Sequence, residues 1–139
     1  MKLKLLILLL LFTTTVNGQK TLHIYGGQSH DVYLGCLNCN DIQQNSIWND
    51  IGSYGSNISS TSIWNSIGTY GSDISSYSPF NSLASYPPVI VDKDGNFYGY
   101  LTANELNSKR ADFKLALIIC KYYKDIQKDV SGWYKKIFI

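Results

Sequence analysis

Ser46-Ile47-Trp48-Asn49-Asp50-Ile51-Gly52-Ser53-Tyr54-Gly55-Ser56-Asn57-Ile58-Ser59-Ser60 recurs sixteen residues later as Ser62-Ile63-Trp64-Asn65-Ser66-Ile67-Gly68-Thr69-Tyr70-Gly71-Ser72-Asp73-Ile74-Ser75-Ser76. A third, degraded start runs Ser78-Pro79-Phe80-Asn81-Ser82-Leu83-Ala84-Ser85-Tyr86. Counting back from Ile58 gives Ile42 and sets Cys39 in register with Gly55, so the Cys-x-x-Cys segment reads as a degenerate first copy. A period held this strictly predicts stacked units, because a unit this small cannot bury its own apolar residues. Ser46 and Ser62 stand where N-caps would, and Gly52 and Gly68 where a C′ glycine would stop a helix. Between them Ile47, Trp48 and Ile51, with their counterparts Ile63, Trp64 and Ile67, fall on one face of a single helical turn. The competing expectation is a β-arc per unit, with alternate Ile and Tyr lining a solenoid. Either way Ile and Trp of adjacent copies share one core, and their fixed register argues against low-complexity disorder.

Outward from the repeats, both flanks read as β-hairpins. On the N-terminal side, residues 21–35 place β-branched and aromatic residues around Gly26-Gly27. On the other side, residues 89–101 run Val89-Ile90-Val91, then Asp94-Gly95, then Phe97-Tyr98-Gly99-Tyr100-Leu101. Asp92-x-Asp94-Gly95-Asn96 also looks like the opening of a calcium loop, but the remaining ligands and the closing Glu do not follow, so it reads as turn chemistry. A capping box at Thr102 and Glu105 opens a predicted helix over residues 105–130, striped by Ala116, Ile119, Tyr123, Ile126 and Val130. Ser131-Gly132 is expected to end it, leaving residues 131–139 as an apolar tail. The fold class is therefore α+β: two hairpins flanking a solenoid-like short-repeat segment over residues 36–88, with one C-terminal amphipathic helix.

The chain has 139 residues, one domain's worth, with 16% charged residues and eleven Tyr. Lys2 and Lys4 precede the unbroken apolar run Leu5 to Phe12, and Val16 and Gly18 occupy the small positions before Gln19. That pattern predicts a signal peptide over residues 1–18 and a single exported domain over residues 19–139, in a periplasmic or extracellular setting. The run is too short to span a hydrocarbon core of about twenty residues, so no transmembrane span is expected after cleavage. From Gln19 onward ten bases balance ten acids, which argues against a nucleic-acid partner. The charge is unevenly placed. Residues 19–92 carry one base and five acids, and residues 93–139 nine bases and five acids.

In an exported chain Cys36 and Cys39 are first candidates for a disulfide, with Cys120 left as a buried thiol. Two alternatives stay open. One is a thiol-redox role, which needs a thiolate-stabilising helix start. The other is zinc, for which His23, His30, Cys36 and Cys39 are a chemically adequate set at a spacing that matches no familiar finger. No other cofactor is expected.

Gly35-Cys36-Leu37-Asn38-Cys39, the tandem Ser-Ile-Trp-Asn units, Pro87-Pro88-Val89-Ile90-Val91-Asp92 and Asn96-Phe97-Tyr98-Gly99-Tyr100-Leu101-Thr102 follow one another in a specific order. In this the chain resembles a family of small, often exported bacterial proteins. The resemblance implies a bacterial source and a compact repeat-bearing domain, and it carries over no activity and no catalytic residue. It also leads one to expect Tyr at the positions of Ile51, Ile58, Ile67 and Ile74.

An enzyme is hard to assemble from these residues. His30, Asp31 and Cys36 lack a nucleophile elbow or oxyanion loop, and Glu105 is the only Glu, so a hydrolase would be of an unrecognised type. Tyr, Trp, Ser, Asn and Gly instead make a good uncharged recognition surface, with Trp48, Tyr54, Trp64 and Tyr70 the candidate ligand-binding residues. The alternative for the tryptophans is that they fill the repeat core. The expectation is a non-catalytic binding or structural module, with a polysaccharide or an envelope protein as partner.

Overall fold

A computed structural model describes residues 19–139. The expected signal peptide lies outside the described residues. The elements are β1 (His23–Gly26), β2 (Val32–Cys36), β3 (Val89–Val91), β4 (Phe97–Tyr100), α1 (Lys114–Lys128) and α2 (Val130–Phe138). The protein is α+β, with a four-stranded antiparallel sheet in the order β2-β1-β3-β4.

Both hairpins form where the turn residues predict them. Gly27 and His30 have φ of 87° and 52°, and Gly95 has φ of 80°. These left-handed positions let each chain reverse. The hairpins are not separate flanks, however. Tyr25 pairs with Val89 and Ile24 with Ile90, which joins them into one sheet. Alternation then sends Ile24, Leu34 and Ile90 to the buried face and leaves His23, Tyr25 and Val91 partly open on the other.

Between the hairpins the chain neither winds into helices nor lies in strands. It advances by turns closed by i to i+3 bonds, from Ser46 N–H to Gln43, Asn49 to Ser46 and Gly52 to Asn49, and again from Ser62 to Ser59, Asn65 to Ser62 and Gly68 to Asn65. Each turn ends where the next begins. This corrects the helical expectation. Positions 47 and 51 share a face only at helical pitch, and in this geometry Ile47 is buried while Ile51 is 90% exposed. Gly52 and Gly68 have no left-handed φ and are not helix stops. A Cβ on either would press on the side chain of Asn49 or Asn65. Ser46, Ser62 and Ser78 do act as local acceptors, their Oγ atoms each taking the backbone N–H two residues on at 3.0 Å, but they open turns rather than helices.

The C-terminal third holds two helices where one and a tail were expected. Thr102 and Glu105 do not start a helix. The Thr102 Oγ1 accepts the Asn104 N–H at 3.0 Å within a turn, and α1 begins only at Lys114. Val130 to Phe138 is helical because Asp129 caps it, accepting the Gly132 N–H at 2.9 Å. Gly132 therefore sits in a helix's first turn instead of ending one. A Cβ there would collide with the Asp129 carboxylate.

One apolar cluster joins all parts, with Ile24, Leu34 and Ile90 from the sheet, Trp48, Trp64 and Phe80 from the turns, and Ile119 and Ile126 from α1. Among the described residues every buried side-chain polar atom has a hydrogen-bond partner, and no helix is long and apolar enough to cross a membrane.

Candidate functional site

Trp48 and Trp64 are fully buried, so neither can meet a ligand from outside. The Trp48 indole N–H donates to the Leu37 carbonyl at 2.8 Å and that of Trp64 to the Ile47 carbonyl at 2.6 Å. The rings form a continuous row of contacts, stacked from Trp64 through Phe80 to Tyr123 and tilted or edge-on around Trp48. Trp48 and Trp64 centroids are 5.5 Å apart, Trp64 and Phe80 5.9 Å, and Phe80 lies 4.4 Å from Tyr123 of α1. Phe138 of α2 closes the other end against Trp48 at 5.6 Å. Of the four candidate ligand-binding aromatics, two are thus core.

Tyr54 and Tyr70 are half-buried against the sheet. Gly35 has φ of 110°, and a Cβ there would meet Tyr54 Cβ at 2.7 Å and Ile47 Cγ2 at 2.9 Å. Only glycine lets the turn segment approach β2 this closely. Tyr70 packs in the same way over Gly26. Burial pushes the Tyr70 hydroxyl up, with Tyr77 and Asp31 adding to the shift.

Tyr54 leads to a cluster that sequence reasoning did not single out. Its ring sits 5.1 Å from Tyr33, and Tyr33 sits 5.3 Å from Tyr25 and 5.6 Å from His23. His23 Nδ1 is 2.7 Å from the Tyr33 hydroxyl, which also accepts from the Asn45 amide at 3.2 Å. Burial holds the Tyr33 hydroxyl above its ordinary pKa, the Asn45 bond opposing and Tyr25 and Tyr54 adding. Across the central strand a second group forms, with Tyr100 5.4 Å from Phe97 and 6.0 Å from His30, whose Nε2 donates to the Pro87 carbonyl at 3.1 Å.

Register explains the arrangement. Tyr33, Tyr25, Val89 and Tyr100 are successive cross-strand partners and so share a face, as do His23, Val91 and Phe97. Val89 and Val91 form the floor of a shallow trough, with Tyr25, His23 and His30 on its sides and Asp92 and Lys93 at one end. The sequence signal was available: alternate aromatic residues on β1, β2 and β4 that a one-sided core does not consume. What it lacked was the β1–β3 pairing that puts them on one face.

Asp92 closes the trough and anchors the β3–β4 turn. Its carboxylate accepts from the Asn96 amide and the Tyr98 hydroxyl, each at 2.9 Å, and from the backbone N–H of Asp94 at 2.9 Å and of Asn96 at 3.0 Å. The Asn96 side-chain bond, then the backbone N–H of Asn96 and the Tyr98 hydroxyl, hold its carboxyl far below the usual carboxylate range. The same bond to Asp92 raises Tyr98. Donors already fill the carboxylate, as turn chemistry requires.

Cys36 and Cys39 are joined by a disulfide, which removes the two thiolates the zinc set needs. Among the described residues no three or more His, Cys, Asp or Glu side chains converge, and His23 and His30 are committed to Tyr33 and Pro87. Nor does the pair open a helix. Cys36 ends β2 and is fully buried, without the helix N-terminus that lowers a redox thiol's pKa. The loop has a local task instead. Asn38, held between the two sulfurs, accepts the Leu22 N–H at 2.9 Å and donates to the Lys20 carbonyl at 2.7 Å, tying down the chain that enters β1.

Comparison with known proteins returned no match to a family model, a curated protein or a solved structure.

Proposed function

We propose that this chain is an exported, non-catalytic binding module of a bacterial envelope or secretome, built on a stack of sixteen-residue turn units, and that it holds a polysaccharide on the outer face of its sheet. One observation carries the reading: two half-exposed aromatic groups flank a valine floor on an open, flat face. A pyranose ring has an apolar C–H face rimmed by hydroxyls. Tyr25 and Tyr100 offer rings with hydroxyls at their tips, so one element supplies both area and hydrogen bonds, while Tyr33, its hydroxyl held by His23 and Asn45, packs edge-on against Tyr25. An open trough suits a polymer, which lies across it, better than a small molecule that needs enclosure.

The test is retention of the purified protein on insoluble cellulose, chitin and bacterial cell wall. A matrix should bind it, and Tyr25→Leu with Tyr100→Leu should cut the bound fraction at least tenfold while far-UV circular dichroism is unchanged. Ile67→Ser, on a different surface, should bind like the parent. No retention on any matrix, or equal retention of the double variant, overturns the reading.

A further inference from the structure

The turn segment carries a second surface that the trough does not use. Ile42, Ile51, Ile58, Ile67, Ile74 and Leu83 are each 80–91% exposed, although they belong to the part of the chain that also builds the core. Hydrogen bonds arrange them in pairs. The Asn49 amide donates to the Gln43 carbonyl, beside Ile42, and its oxygen accepts the Ile51 N–H. Asn65 bonds Ser59, beside Ile58, and Ile67 in the same way, and Asn81 bonds Ser75, beside Ile74, and Leu83. Three asparagine clamps therefore set three pairs of aliphatic tips, one pair per unit. At 25 cal/mol/Å2 a buried Ile or Leu represents roughly 100 Å2 of apolar surface, so six supply roughly 600 Å2 of the ~800 Å2 that one partner brings to a standard interface.

We infer that the tips seat on the outer face of α1 of a second copy of this chain, so that copies associate head to tail. Charge selects that occupant. Residues 41–88 hold Asp41, Asp50 and Asp73 and no Lys or Arg, and each of these aspartates immediately precedes a tip. α1 carries four lysines against one aspartate, and since Lys124 and Lys128 line a hollow with Asp73 of the same chain, Lys114 and Lys121 are the pair left to meet Asp41 and Asp50 of another copy. Its outer face has exposed Leu117 and Tyr122 and an open hollow lined also by Ile118, with Lys114 and Lys121 outnumbering Asp112 at the rim. The molecule thus carries an acidic, knobbed surface and a hollow of net positive charge. The pairing of unlike faces also avoids the aspartate-on-aspartate contact that a two-fold dimer through the tips would make. Contacts between different faces leave one of each free at the ends of a dimer, so assembly continues past it, into a ring or an open chain.

Sedimentation velocity of the purified protein from micromolar to millimolar concentration is the test. The average mass should rise with concentration without stopping at the dimer, and more steeply at about 0.01 M than about 1 M salt, where the screening length falls from ~30 Å to ~3 Å. Ile51→Ser with Ile67→Ser breaks the knobs, and Lys114→Glu with Lys121→Glu breaks the hollow's rim. All four side chains are exposed, so both variants should fold. Each alone should associate at least tenfold more weakly. Mixed, they should form a one-to-one dimer and nothing larger, because one good face of each kind remains. A parent that stays monomeric, a lysine variant that associates normally, or a mixture that does not pair overturns the inference.

Discussion

Replacing Trp64 with phenylalanine probes how much the buried aromatic stack holds. Trp64 is fully buried between Trp48 and Phe80, with its indole N–H on the Ile47 carbonyl at 2.6 Å. Phenylalanine keeps a stacking ring but removes the five-membered part. Aromatic side chains bury 150–250 Å2, so the lost area is on the order of 50 Å2, about 1 kcal/mol. It also strands the Ile47 carbonyl in the core, which costs about 1–3 kcal/mol. The expected loss is about 2–4 kcal/mol. With a urea slope of roughly 1–3 kcal/mol/M for a small domain, that moves the midpoint by about 1–2 M. The assay is urea unfolding by circular dichroism, with Ile67→Ser as reference, expected within about 0.5 kcal/mol of the parent because its side chain touches little. An unchanged slope with a midpoint shift under about 0.3 M, or an equal shift for Ile67→Ser, would refute the stack as a stabilising core.

Three further outcomes follow from the same geometry. At Gly71 an added Cβ would land on the Asn65 backbone carbonyl, which cannot move without opening its turn. Gly71→Ala should therefore cost about 3 kcal/mol or more in urea unfolding, against about 1 kcal/mol for Gly95→Ala, which is left-handed but in open space. The Asp92 carboxyl is depressed below its ordinary 3.8 in the folded state, so its contribution is complete above that value and lost as pH falls through it toward the folded one. Asp92→Asn should be less stable than the parent at pH 7 and at pH 5, with the gap narrowing below about pH 4. Cys120 is buried and its thiol is pushed up to about 11. Disulfide-exchange reagents at pH 8 should label it only after denaturant exposes it, whereas labelling at the rate of a free thiol would contradict its burial.

What the sequence made legible is what short-range chemistry decides. Asp94-Gly95 and Gly26-Gly27 mark reversals because the residues themselves tolerate left-handed φ, and both hairpins form there. The stripe over Ala116, Ile119 and Ile126 is buried as the helical period requires. The Cys36–Cys39 bridge matches its close spacing. Harder to read were choices settled by distant partners. β1 meets β3 across the whole turn segment, and only that pairing creates the trough. Thr102 and Glu105 satisfy a helix-start signature, yet the Thr102 segment is drawn instead to the end of the turn segment, where the Ala103 N–H donates to the Pro79 carbonyl, while the Arg110 side chain donates to the Thr102 carbonyl. Gly132 is a local exception: it looked like a stop, but Asp129, three residues before it, caps the helix that contains it. Within the repeats the conserved spacing was visible but its pitch was not. A turn chain and a helical turn use the same serines and glycines, and they differ in whether Ile51 and Ile67 point inward.

The most direct test of the binding account is a nuclear magnetic resonance titration of the aromatic side chains with soluble oligosaccharides from whichever matrix retains the protein. The account predicts shifts at Tyr25, His23 and His30, which line the trough, and at Tyr33 and Tyr100 on the same face of the sheet, with the indole N–H signals of Trp48 and Trp64 unmoved. Shifts confined to surfaces away from the sheet, or movement of the two buried indoles with the trough residues silent, would contradict it.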